Sequence, residues 1–281
     1  MGPGPTLIVA AALGAVGGAL GWSMLRATFA APLFQRTNVR GADVPVGVGV
    51  ILPVVLVAAA ALLVLGDRLE WVELHDGALR TAVAAATGFG LLGLLDDLAG
   101  DASSKGFAGH LRALGQRRLT TGAVKLFGGG AVAVLVASAG SDERPGRLLA
   151  DAALIALAAN LANLLDRAPG RVAKVALLTA VPVALAAGVD DRLVGPAVIV
   201  GATLALLWPD LREQLMLGDT GANVLGATLG LAVVLTTAAS TRTVVLLAVL
   251  ALNLLSERVS FSRVIDRIPP LRALDRLGRL P

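Results

Sequence analysis

Nine apolar stretches, at about 7–25, 46–66, 79–95, 122–140, 148–165, 172–188, 193–208, 221–238 and 241–256, follow one another with more polar intervals between them. A helix needs about 20 residues to cross a hydrocarbon core about 30 Å thick, with roughly 17 as the lower limit. These stretches run from 16 to 21 residues. The shortest therefore cross only if flanking arginines snorkel or the helix sits inside the bundle. The pattern predicts an all-α integral membrane protein of about nine transmembrane helices. It would be a single polytopic domain over 1–281 that ends in a basic tail at 257–281.

Composition agrees. Apolar residues make up 56% of the chain and charged residues 16%, against about 25% charged in soluble domains. Too little polar surface is left to cover a soluble core, whereas lipid tolerates an apolar exterior. There is no Cys, which excludes disulfides and thiolate metal sites. The net charge of +4 is not a nucleic-acid signature, because aromatics are 3% and Tyr is absent and stacking platforms need aromatics. The excess reads instead as a topology signal or as attraction to anionic lipid and substrate. No basic residue precedes the first apolar run, so that run is expected to be a retained helix and not a cleaved leader.

Basic residues also orient the chain. The intervals 26–45, 96–121, 166–174, 209–220 and 257–281 hold 17 Lys and Arg, and the alternate intervals hold 6. The positive-inside rule assigns the first set to the cytoplasm. The N-terminus is then outside and the C-terminus inside, and any chemistry faces the cytoplasm of a cell-membrane protein. Within the first run Gly14, Gly17, Gly18 and Gly21 permit close helix packing.

Three polar clusters fall on that same face. Asp96 and Asp97 end the third run, followed by Asp101; adjacent carboxylates repel unless a cation or Lys/Arg balances them. Asn160, Asn163 and Asp166 form a stripe on one face at the end of the fifth run. They serve either as interhelical glue or as the lining of a polar site. Gly218-Asp219-Thr220-Gly221 opens the eighth run, as a plain N-cap or as a backbone turn that approaches phosphate. Together they suggest Mg²⁺, which takes carboxylate oxygens and bridges phosphates, and a phosphorylated substrate. The middles of the runs are nearly free of polar residues, which argues against a transporter.

At these residues the chain resembles the polyprenyl-phosphate N-acetylhexosamine-1-phosphate transferases, the group that includes the phospho-N-acetylmuramoyl-pentapeptide transferase of peptidoglycan synthesis. The matching features are the double Asp (Asp96-Asp97), Asn-x-x-Asn-x-x-Asp (Asn160, Asn163, Asp166) and Gly-Asp-x-Gly (Gly218 to Gly221). The early loop Thr37-Asn38-Val39-Arg40-Gly41, with Pro45 and Gly47, matches as well. Order and spacing agree from about residue 35 to 230.

The resemblance implies transfer of a phospho-sugar from a UDP-activated amino sugar to polyprenyl phosphate, with Mg²⁺ and release of UMP, in cell-wall or surface glycan synthesis. It implies metal on Asp219 aided by Asp96, and catalytic roles for Asp96, Asp97, Asp166 and Asp219. Substrate contacts would come from Asn38, Lys105, Asn160, Asn163, Arg171, Gly218 and Gly221, with Arg112 as a further phosphate donor. It also implies a homodimer as one arrangement, the family being often dimeric. Two features depart. Arg167-Ala168-Pro169-Gly170 stands where the family has a second Gly-x-Asp-Gly, and the tail from Ser256 to Pro281 has no His and no tenth span. A relative that binds the lipid phosphate or nucleotide without catalysis is the alternative.

Overall fold

A computed structural model describes residues 2–38, 40–99, 121–140 and 144–280. Among them nine long helices follow in order: α1 (Pro3–Phe29), α2 (Ile51–Arg68), α3 (Asp76–Ala99), α4 (Thr121–Ala137), α5 (Pro145–Leu165), α6 (Arg171–Ala187), α7 (Val194–Leu211), α8 (Gly218–Thr236) and α9 (Ala239–Ser256). Two short ones, α10 (Phe261–Arg267) and α11 (Pro269–Arg276), complete the chain. Each long helix overlaps one of the nine apolar stretches, with ends that differ by up to five residues. Seven of them are long and apolar enough to cross a membrane; α4 and α6, with 17 residues each, are shorter. The architecture is all-α and of membrane type. An unexpected element is a two-stranded antiparallel ribbon, β1 (Gln35–Thr37) with β2 (Asp43–Pro45). Strands of three residues leave no readable alternation in sequence.

The centre of the bundle is α8, whose residues are almost all buried. Its glycines make that possible. A Cβ at Gly226 would lie 2.3 Å from the Ala158 carbonyl oxygen of α5, so the two backbones touch. The same device joins α1 to α7. A Cβ at Gly14 would lie 2.0 Å from Val198 O, and one at Gly201 would lie 1.9 Å from Ala11 O. On its neighbouring edge α1 offers Gly17 and Gly21 to Val55 and Ile51 of α2. With Gly18, where a Cβ would lie 2.9 Å from Ala202 O of α7, all four glycines of the first run mark helix contacts, as expected where packing in lipid depends on close approach. At the periphery, α9 exposes Val244, Leu247, Leu254 and Leu255, a surface that suits hydrocarbon and not water.

The two ends of the bundle differ in chemistry. At one end Asp151 of α5, fully buried, is clamped between Arg147 on its own helix and Arg242 of α9 at 2.9 Å. Arg242 also donates to Gly140 O at 2.9 Å. Pairing of this kind offsets the cost of burying a carboxylate. The start of α1 lies at this end, with Gly4 against Val189. The opposite end gathers the last turns of α3, α5 and α7, the first turns of α4, α6 and α8, the β-ribbon and the C-terminal segment.

Candidate active site

The anchor of this end is the start of α8. Asp97, on the last turn of α3, accepts from the Asp219 amide at 2.9 Å, the Thr220 amide at 3.0 Å and the Thr220 hydroxyl at 2.6 Å. The free amides of a helix N-terminus are thereby capped by a carboxylate from another helix. Gly218 is required twice over. Its φ is +69°, and a Cβ there would meet Asp97 Oδ2 at 2.6 Å. Gly221 lies against Gly49, where a Cβ would sit 2.2 Å from the Gly221 nitrogen. Met216 N donates to Pro45 O at 2.7 Å and Gly49 N to Leu217 O at 3.1 Å, so the segment 45–49 lies along 216–221. Here the glycines of the Gly-Asp-x-Gly turn admit protein backbone and a carboxylate.

Capping leaves the Asp219 side chain free to face a different group. Its Oδ2 accepts from Asn163 Nδ2 at 3.0 Å and from the ammonium of Lys125, on the first turns of α4. Lys125 Nζ also lies 3.5 Å from Asp96 Oδ2. Lys125 went unassigned in the sequence reading because it sits inside an apolar run. A lysine inside such a run was itself the available signal, since intramembrane charges mark partners or function.

A cavity of about 810 Å³ opens beside this group. Asp97, Asp166, Asp210, Gly218 and Asp219 line it, with Asn38, Arg40, Arg167, Glu213, Arg276 and Arg279. Asp166 caps the C-terminus of α5. Burial, then the carboxylates of Asp210, Asp219 and Asp97, push its carboxyl well above the usual range, against the weaker pull of Arg167. Asp210, 4% exposed, has a buried Oδ2 with no hydrogen-bond partner among the described residues. Asp210 also went unassigned; its position two residues after Trp208, behind a proline, carries no motif.

The remaining expected residues have other partners. Asn38 donates to Glu213 Oε2 at 2.7 Å, and its Oδ1 accepts from the Arg40 and Ala42 amides at 2.9 and 3.0 Å. It shapes the ribbon's turn at the cavity edge. Asn160 donates to Asn253 Oδ1 of α9 at 2.7 Å, away from Asp219. Arg171, buried, grips Asp275 of α11 bidentately at 2.8 and 3.0 Å. Lys105 and Arg112 fall outside the described residues.

Whether this donor set suits Mg²⁺ is answered by Lys125. Asp96 and Asp219, the two expected ligands, already converge on one cation, its ammonium, and both offer the hard oxygens that Mg²⁺ takes. Among the described residues no three His, Asp or Glu side chains are grouped for a metal. Mg²⁺ needs only one or two carboxylates when phosphates and waters complete its shell, so the pair fits it. Compared with protein-family models and with curated proteins, the chain matches none.

Proposed function

We propose that this protein moves a phospho-sugar from a UDP-activated amino sugar to polyprenyl phosphate, releasing UMP, at the cytoplasmic face of the cell membrane. The observation that carries the reading is one cavity lined by Asp97, Asp166, Asp210 and Asp219 together with four arginines. Carboxylates suit a cation and arginines suit phosphates, and a transferase with two anionic substrates needs both. The order of motifs along the chain supports the same reading. So does the orientation argued from basic residues, with nine crossings, the N-terminus outside and the C-terminus inside.

In this proposal a lipid-phosphate oxygen attacks the sugar-bearing phosphorus, one P–O bond forms, and the bond to UMP breaks. Asp219 and Asp96 are the residues that would hold Mg²⁺, which supplies neutralisation of the diphosphate. Lys125 already contributes one positive charge there, and Asn163 fixes the Asp219 carboxylate. Asp97 keeps α8 and hence Asp219 in place. The prenyl chain would follow the apolar cavity of about 120 Å³ lined by Leu161, Ala162 and Leu165 of α5, on the last turns before Asp166.

Incubating purified protein with polyprenyl phosphate, Mg²⁺ and a panel of UDP-sugars tests the reading through UMP release. Asp219→Asn should lower the rate on the order of 10²-fold or more, while Arg68→Gln at the opposite end should match wild type. Turnover by Asp219→Asn at the wild-type rate removes Asp219 from catalysis. A second reading, a binding protein without catalysis, is favoured by Lys125 occupying the Asp96–Asp219 pair and by Arg167-Ala168-Pro169-Gly170 in place of an acidic motif. Binding of the substrates without UMP release would decide for it.

A further inference from the structure

Among the described residues, an anionic ligand that enters the cavity meets five carboxylates, Asp97, Asp166, Asp210, Glu213 and Asp219, and four arginines. Two of the arginines are committed. Arg40 pairs with Glu213 at 2.9 Å and donates to Leu280 O at 2.9 Å. Arg279 donates to Asp275 at 2.5 Å and to Pro169 O at 2.9 Å. The guanidinium groups of Arg167 and Arg276 have no hydrogen bond or ion pair among the described residues. Of these two arginines, Arg276 belongs to the C-terminal segment.

That segment is fastened more firmly than a loose tail requires. Arg171, 5% exposed, holds Asp275, 8% exposed, with two parallel hydrogen bonds and reaches Ser262 Oγ at 2.8 Å with its third nitrogen. Burying two charges is costly unless geometry and hydrogen bonds are satisfied, and here they are. Burial tends to raise the Asp275 carboxyl, but the Arg171 hydrogen bonds and the charges of Arg171, Arg279 and Lys174 outweigh it and hold it below the usual range. Lys174 closes the end of α11 by donating to Leu274 O at 2.9 Å, Asp275 O at 2.5 Å and Leu277 O at 3.2 Å. Asp275 precedes Arg276, so the clamp fixes the backbone that carries the free guanidinium.

We infer that the segment 261–280 is a wall of the ligand cavity, with Arg276 and Arg167 binding the phosphate or diphosphate group of an anionic ligand and the Arg171–Asp275 pair positioning Arg276. The inference rests on the transferase reading of the cavity. Its phosphate chemistry has two sources, the nucleotide diphosphate and the lipid phosphate. The test measures binding of UDP by calorimetry and of polyprenyl phosphate in nanodiscs, both at low salt, to the full-length protein and its variants. Arg276→Gln, an exposed change, should weaken one ligand about tenfold or more, the scale of a charge-assisted hydrogen bond, and the ligand affected names the source. Asp275→Asn should weaken the same ligand and speed hydrogen exchange across 261–280. Arg263→Gln, in the segment but outside the cavity lining, should change neither. Wild-type affinity of Arg276→Gln for both ligands overturns the wall assignment alone, as does unchanged exchange in Asp275→Asn. If wild type binds neither ligand, the transferase reading falls and takes this assignment with it.

Discussion

Asp97 and Thr220 are joined by two hydrogen bonds to one oxygen, from the Thr220 amide at 3.0 Å and its hydroxyl at 2.6 Å, across 123 positions of sequence. This contact ties the end of α3 to the start of the central helix, and it sets where Asp219 points. Thr220→Val removes the hydroxyl only and should cost about 1 kcal/mol, whereas Asp97→Asn removes the charge and turns a donor toward donors, costing about 2–3 kcal/mol. Thermal unfolding in detergent should rank wild type above Thr220→Val above Asp97→Asn. Equal midpoints would mean that the cap contributes nothing.

Lys125 acts as a built-in counter-ion to Asp96 and Asp219. Lys125→Met keeps the apolar stem and removes the ammonium from beside Asp96 and Asp219. Divalent cation affinity should then rise on the order of tenfold or more, since a unit charge at this range is worth a few kcal/mol even at an effective dielectric constant of about 20. Titration of Mn²⁺ followed by electron paramagnetic resonance measures it. Adding Asp219→Asn should reverse the gain. An affinity that does not change in Lys125→Met would show that the pair is no cation site.

Much of this end of the bundle was legible in sequence, and the limits have physical causes. Asp97, Asp166 and Asp219 share one cavity because each ends or begins a helix on the same side, which the run boundaries and alternation of basic residues already implied. Asn160 and Asn163 were read as one stripe. Three residues turn a helix by about 300°, which leaves them about 60° apart, enough for Asn163 to meet α8 while Asn160 meets Asn253 of α9. Arg171 was read as a phosphate donor because its partner, Asp275, lies 104 positions away, and no local pattern announces such a pair. The docking of the tail was hidden for the same reason. Its helices are short and polar, and it is the buried Arg171–Asp275 pair that fastens them at this end of the bundle.

Orientation in the membrane is a separate prediction, and the absence of Cys makes it clean to measure. Val189 is 68% exposed beside the N-terminal end of the bundle, and Ala273 is exposed on α11 at the other. A cysteine at 189 should react with an impermeant maleimide on intact cells. A cysteine at 273 should react only after permeabilisation. The opposite pattern would invert the topology and move the cavity to the outer face.

Asp166 allows stability and activity to be separated. Its carboxyl is pushed well above its ordinary 3.8, first by burial and then by Asp210, Asp219 and Asp97. Between 3.8 and that raised value the folded protein holds a proton that the unfolded chain has lost. Stability therefore falls as pH climbs through this window, the slope being set by the difference in bound protons. Above it, the ionised Asp166 strains the native state against its neighbours. Asp166→Asn is neutral at every pH and of the same size, so it should flatten this part of the pH profile and unfold at a higher temperature than wild type near pH 7. Each kcal/mol relieved is worth about 2–4 °C in Tm. The same substitution should lower UMP release on the order of 10²-fold, the mark of a residue kept for function at a cost in stability. Unfolding curves in detergent at several pH values, measured beside the transfer assay, test both halves. A variant less stable than wild type at neutral pH would show that Asp166 is a structural cap in which the charge is favourable.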